Sequence, residues 1–281
     1  MPSVKDIKLR IRAVKNTQQI TKAMKMVAAA RIKRAEAKVK SSRPYTNKMK
    51  EMVEGLIGLT EEPNPFFISK PAVKRIGLLL VTADKGLCGA YNANLIRLAQ
   101  QFLNEHKSQE IQMLTVGNKG RSFFAKRNVN IVDSFHTAFY PLFSEAQKIA
   151  ELMMKNFLTD VWDEAHIIYS QFISAMHQKP QQILLLPLSG ESSKNQGEFL
   201  FEPDPESVLS SLIPQYISIL IYNVLLESRA AELGARLVAM GNATDNAKKL
   251  IDGLTLQFYR ARQEAITREI LEVASGAEAL K

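Results

Sequence analysis

Stepping from Val4 by three and four residues in turn selects Val4, Ile7, Ile11, Val14, Gln18, Thr21, Lys25, Ala28, Ile32, Ala35, Val39, Ser42, Thr46, Met49, Val53 and Leu56. Most are apolar, which predicts one long helix over about residues 3–58 with a single stripe to bury. Unbroken, it would run roughly 80 Å at 1.5 Å per residue. The stripe turns polar between Gln18 and Lys25, where the apolar set is expected to shift sideways to Ile20, Met24 and Val27. Pro44 predicts a kink or break near Arg43. The same stepping from Leu226 gives Leu226, Ala230, Leu233, Leu237, Met240, Thr244, Ala247, Ile251, Leu254, Phe258, Ala261 and Ala265, with only Thr244 polar. That is a coiled-coil seam in one register. Beyond Ala265 it meets Arg268 and Glu272, so the last turns are expected to project without the first helix beside them. Asp204-Pro205-Glu206 reads as the start of this helical segment, and Pro214 as a bend or break in it.

Between the two helices the period changes. Pro63, Pro65 and Pro71 make Thr60–Pro71 a linker. Strands are expected at Ile76–Val81, Ile111–Val116, Asn130–Val132, Ala165–Phe172 and Gln182–Pro187, and helices at Tyr91–His106, Lys119–Lys126 and Pro141–Asp160. Strands alternating with helices and apolar on both faces indicate a layered α/β domain with a largely parallel sheet. Ser189–Gly197 reads as a loop and Phe199–Phe201 as a short edge strand. The expected spans are a helix in 1–58, the α/β domain in 72–190 and a second helix in 205–281. Each helix needs a cover for its stripe. Packing on the central domain is one solution, but helices this long outreach such a domain, which favours an antiparallel coiled coil of the two.

Charge sharpens this picture. The 281-residue chain carries +9, yet residues 1–50 hold 15 Lys/Arg against Asp6 and Glu36 alone, leaving −4 on the remainder. The first helix therefore seeks an anionic surface: nucleic acid, anionic lipid or an acidic protein. A single cysteine, Cys88, excludes an intramolecular disulfide, and His106, His136, His166 and His177 show no ligand spacing. No apolar run reaches the 18 to 20 residues of a membrane span, and the N-terminus has no continuous apolar core of a secretory signal.

Chemistry is sparse. Thr82–Asn92 follows a strand and precedes a helix, where α/β proteins bind phosphates, yet it carries neither G-x-G-x-x-G nor G-x-x-x-x-G-K-[ST]. Gly86 and Gly89 suit turn geometry, Gly117-Asn118-Lys119-Gly120-Arg121 is equally short of a phosphate motif, and nothing in the pattern gives Cys88 a base. No catalytic constellation, cofactor site or metal site is read. Two rivals remain at this level: a nucleic-acid-binding coiled coil, for the basic helix, and an enzyme built on the α/β domain.

The terminal segments resemble the ATP synthase gamma family. The likeness runs from Ile7 to Arg34, centred on Asn16-Thr17-Gln18-Gln19-Ile20-Thr21-Lys22-Ala23-Met24-Lys25-Met26-Val27-Ala28-Ala29. It resumes at Glu227-Ser228-Arg229-Ala230, Ala235–Met240, Ala243–Ala247 and Ala261-Arg262-Gln263 through to Glu269-Ile270, with Asp84–Gly89 between. The resemblance implies paired terminal helices around a Rossmann-like domain without a cofactor, in a non-catalytic rotating shaft. It implies a ring of alpha and beta subunits, an epsilon subunit and a c-subunit ring as partners, and no nucleic acid. Met24 and Lys25 would face an acidic lever of beta; Arg236, Gln263, Thr267 and Glu269 would couple; Arg262 and Gln263 would meet a beta loop; Phe199, Phe201 and Glu202 would form the foot at the c ring. Lys25 stands where an acid is common in the family. The cytoplasmic side of a bacterial inner membrane is the expected location, because no mitochondrial presequence is read.

Overall fold

The computed structural model describes residues 3–57, 64–188 and 204–278. Its elements are α1 (Val4–Ile57), β1 (Arg75–Val81), α2 (Tyr91–Glu105), β2 (Glu110–Val116), α3 (Asn118–Ala125), β3 (Ile131–Phe135), α4 (Phe143–Leu158), β4 (Glu164–Phe172), β5 (Gln178–Leu186) and α5 (Pro205–Glu278). By contacts the chain forms two compact units, residues 28–236 and residues 1–27 with 237–281.

In the larger unit the sheet order is β3-β2-β1-β4-β5. β1 pairs in parallel with β2 and β4, β2 with β3, and only β5 runs antiparallel, as a hairpin with β4. This is the largely parallel sheet expected from apolar runs such as Ile76–Val81, every residue of which is buried. One core joins Leu79, Leu114 and Ile167 of the sheet to Ile149 and Met153 of α4, Met49 and Val53 of α1, and Ile213 and Ile217 of α5. On the other side Phe102 of α2 lies against His166 of β4, and Gly120 of α3 against Leu80 and Thr82. β5 starts four residues earlier than expected, because Gln178–Gln181 carry no apolar pattern and join the sheet only by pairing with β4. Within the linker, Pro65–Phe67 forms a 3₁₀ turn capped by the Asn64 side chain, and Phe66 stacks on Phe157.

Neither proline breaks its helix. Pro44 lies on an exposed face of α1, where water can satisfy the carbonyl that loses its donor, and the Ser41 and Ser42 hydroxyls donate to the carbonyls of Lys38 and Val39. In α5 the Ser218 hydroxyl donates to the Pro214 carbonyl at 2.7 Å. One sequence expectation is corrected here: α5 contains an 18-residue window of mean hydropathy 1.6, long and apolar enough to cross a membrane. Half of that window is buried inside the fold, and Leu209, Ile213, Ile217, Ile221 and Leu225 pack in the core, so it reads as a core helix.

In the smaller unit the first part of α1 pairs with the last part of α5. Ile7 and Thr21 of α1 are buried, as are Met240 and Ala247 of α5. The expected sideways shift of the stripe does not occur. Ile20 and Val27 stay 61% and 48% exposed, Met24 is half-buried, and Thr21, 8% exposed, keeps the original register. The reason is local satisfaction. The Thr21 hydroxyl donates to the Gln18 carbonyl (3.0 Å) and lies 2.9 Å from that of Thr244, so polar residues occupy the seam without an unmet group. Lys25, on the stripe by spacing, is exposed and lays its stem near Gly241.

Candidate functional site

The carboxyl ends of β1 and β2 open where a doubly wound sheet would take a ligand. Here that crevice is filled by the chain itself. Thr82, just past β1, donates its hydroxyl to the Val116 carbonyl (3.1 Å) and accepts from the Gly120 amide (2.9 Å). Gly117 holds φ +85°, and a Cβ there would fall 2.2 Å from the Thr82 carbonyl oxygen, so only glycine fits. The Asp84 carboxylate accepts the first amide of α3, from Asn118, at 3.0 Å. The position a phosphate would take at that helix start is thus held by a side chain of the same charge sign. Asn92 accepts the Ala83 amide at 3.0 Å and closes the β1–α2 loop.

Helix α5 seals what remains. The buried Tyr91 hydroxyl donates to the Ser228 carbonyl (3.1 Å). Glu232, 5% exposed, pairs with Arg229 at 2.6 Å and Arg236 at 2.7 Å, and Arg236 donates to the Gly86 carbonyl at 3.2 Å. Between Thr82, Gly117, Thr137, Ser228 and Arg229 only about 20 Å³ is left, the space of one water. No dinucleotide enters such a space. Cys88 is buried and its thiol is pushed up by that burial, which makes it inert. Among the described residues no group of three or more His, Cys, Asp or Glu is arranged to hold a metal.

A second fastening lies nearby. Arg43 of α1 binds Glu227 of α5 at 2.9 Å and donates to the Phe172 carbonyl at the end of β4 (2.8 Å). Burial raises the Glu227 carboxyl while Arg43 pulls it down. Glu227 Oε2 and Ser228 Oγ find no hydrogen-bond partner among the described residues. On the hairpin, Gly234 lets α5 approach: a Cβ there would meet the Ala175 carbonyl at 2.8 Å. Sequence reading passed over Arg43 and Asp84 as roles. Their partners stand far off in the chain, although Glu227-Ser228-Arg229 already lay inside the family-like segment.

The expected coupling residues fall in two places. Met24 and Lys25 sit together on α1, one half-buried and one exposed. Arg262, Gln263, Thr267 and Glu269 are all exposed on α5. Counting outward from the Thr21–Thr244 contact, Ser3, just before α1, lies about level with Arg262, which is why burial on α5 ends at Ala261. Arg236 is apart from these, in the Glu232 clamp of the larger unit, with its side chain 13% exposed. Phe199, Phe201 and Glu202, the expected foot, lie outside the described residues, as do the expected loop Ser189–Gly197 and the edge strand Phe199–Phe201.

Comparison with known proteins decides between the readings left open by charge and fold. The protein-family model described as "ATP synthase" matches residues 3–280. An ATP synthase gamma chain of Moorella thermoacetica is 44% identical over 283 residues, with both chains covered in full, and one of Halothermothrix orenii is 44% identical over 290 residues, again with full cover. The chain belongs to the ATP synthase gamma family. Gamma chains are the non-catalytic, central-stalk subunits of F-type ATP synthase, concerned with ATP synthesis and proton transport. Among solved structures, the fold is similar to a chain of the Tetrahymena thermophila mitochondrial ATP synthase central stalk and c ring (TM-score 0.62, 26% identity, 80% of this chain and 99% of that one). It is also similar in fold to a chain of the Euglena gracilis mitochondrial enzyme (TM-score 0.74, 20% identity, 99% and 94%). In this gamma chain α5 closes the crevice in which doubly wound folds take a ligand.

Proposed function

We propose that this gamma chain turns as the shaft of a bacterial ATP synthase at the cytoplasmic side of the inner membrane. Its helix pair enters a ring of alternating alpha and beta subunits, and its α/β domain stands with epsilon on the c ring. The observation that carries this reading is the end of α5, where every described side chain from Arg262 to Ala277 is exposed although four large apolar ones, Ile266, Ile270, Leu271 and Val273, are among them. Such a surface suits a surrounding sleeve of protein. The Tetrahymena relative, solved as central stalk with c ring, supports the same assembly.

Met24 and Lys25 then meet the acidic lever of a beta subunit, Arg262 and Gln263 a beta loop, and Thr267 and Glu269 the coupling contacts beyond it. Arg236 acts from the clamp, and Phe199, Phe201 and Glu202 reach the c ring. Basic charge opposite acidic levers gives attraction that tolerates rotation, because it falls off slowly with distance and depends little on angle. The test is co-purification with alpha and beta subunits, with ATPase activity measured with and without this chain. Failure to co-purify with a competent alpha–beta ring overturns the reading. Replacing Met24 by lysine adds a charge contact that resists turning. Proton pumping per ATP hydrolysed is expected to fall in Met24→Lys, and an equal ratio counts against the assignment.

A further inference from the structure

The strap between β3 and α4, residues 136–142, lies over the closed crevice, with Thr137 and Pro141 among its walls. Its own geometry is held by Glu145, which accepts the amides of Ala138 and Leu142, both at 2.8 Å. From this strap Phe139 projects between two cations on two different helices. The Arg31 guanidinium of α1 stands 4.3 Å from the ring centre and that of Arg229, on α5, 4.6 Å. Beside it Lys38 of α1 lies 5.0 Å from the ring of Tyr140, which meets Phe139 edge-on. Three cations on α1 and α5 thus converge on two neighbouring rings of the α/β domain.

We infer that Phe139, clasped by Arg31 and Arg229, is a collar that braces both helices against the α/β domain, a positioning residue for torque transfer. The inference rests on the shaft reading above. The lower parts of α1 and α5 are fixed to the sheet by apolar packing of Met49, Val53, Ile213 and Ile217. Arg31 and Arg229 lie near the chain positions where α1 and α5 leave this unit. A lateral load on a helix pair is greatest at its root, so a brace is needed there. Cation–π contact suits the task because a guanidinium can slide over a ring face without losing the attraction, whereas a hydrogen bond breaks on a small turn. The ring also separates two like charges. Without its electron-rich face the helices lose a common anchor, while Arg229 keeps its pair with Glu232 at 2.6 Å.

The test uses the complete enzyme in membrane vesicles, with ATP-driven proton uptake per ATP hydrolysed as the readout. Phe139→Leu keeps the bulk and removes the ring face. The ratio is expected to fall by at least about two- to fivefold, the factor carried by one exposed cation–π contact where two are lost, with the hydrolysis rate kept. Phe139→Tyr restores it. An unchanged ratio in Phe139→Leu overturns the collar, as does a loss of assembly yield with the ratio intact, which is what a purely structural ring would give. Where Phe139→Leu does not assemble, Arg31→Gln keeps the ring and changes only an exposed side chain. Its ratio is expected to fall in the same direction, and an unchanged ratio again overturns the inference. No pumping with the unaltered chain would instead sink the shaft reading itself.

Discussion

Gly77 is the residue on which the sheet's largest core side chain depends. A Cβ at this position would lie 2.2 Å from the ring of Trp162, which is fully buried and donates its indole N–H to Gln112 at 3.0 Å. The ring has no free side to move into, so Gly77→Ala is expected to destabilise the chain by about 3 kcal/mol, at the upper end of overpacking. Urea denaturation of the purified chain reads this directly, and a loss below about 1 kcal/mol would mean that Trp162 can swing away. Two buried ionisable groups set the pH limits. Asp163, 3% exposed, accepts from Lys70 (3.0 Å), the Lys74 and Arg75 amides (2.9 and 2.8 Å) and the Arg75 guanidinium (2.9 Å). Burial alone would raise its carboxyl, but these donors together hold it well below the ordinary range. The stability it contributes is therefore present above about pH 4 and lost as pH falls further. His166 acts on the same acid side but through a different cause. Burial pushes it down, against the pull of Glu164 at 2.8 Å, with His106 adding a like-charge push and the Gln182 amide facing the other ring nitrogen. The folded state prefers the neutral ring, so stability is full above pH 6.5 and declines below it. Between pH 7.5 and 5.5 stability is expected to fall. A chain carrying His166→Gln should show a flatter profile over that range, and an equally steep one would assign the loss to another group.

At the scale of elements, the two prolines decide how much rigidity α1 and α5 retain. Pro44 costs α1 one hydrogen bond on an exposed turn, and the helix continues through it. Pro44→Ala removes a helix-interior penalty of up to about 3 kcal/mol but frees the unfolded chain. A net gain of about 1–2 kcal/mol is expected, read as a higher thermal midpoint; a drop would mean that the proline ring packs usefully. The sequence made most elements legible because long periodic runs leave little choice. The stripe from Ala28 to Leu56 is buried or half-buried throughout, and the break in period at β1 marks the sheet. What it hid was settled by partners far along the chain. A polar Thr21 looks like a fault in a seam until Thr244 is beside it. Gln178–Gln181 look like loop until β4 pairs with them. Pro44 and Pro214 look like breaks until neighbouring serine hydroxyls and solvent exposure are counted. Of the candidate site, Met24, Lys25 and Arg262–Glu269 were legible as family-like positions. The Asp84 cap, the Arg43–Glu227 pair and the Arg31–Phe139–Arg229 clasp were not, since no local pattern announces a contact between residues 34 to 184 positions apart.

At the scale of the whole molecule, fold stability and function load different parts of α5. Burial on this helix ends at Ala261, and the described side chains after it, charged and apolar alike, face outward. Their removal therefore takes away almost no contact made within the chain. A chain ending at Ala261 is expected to keep its folding free energy within about 0.5 kcal/mol, the usual range for surface changes away from packed features. In the assembled enzyme the same truncation strips Arg262, Gln263, Thr267 and Glu269 together with Ile266, Ile270, Leu271 and Val273. If these form the bearing against the surrounding subunits, ATP synthesis against a load should fall several-fold while the isolated chain melts at the same temperature. The two readouts separate the possibilities. A drop of more than about 1 kcal/mol in the isolated chain would mean that the segment folds back on its own helices. Undiminished synthesis with unchanged stability would mean that torque passes entirely below Ala261, through the part of α5 that is still paired with α1.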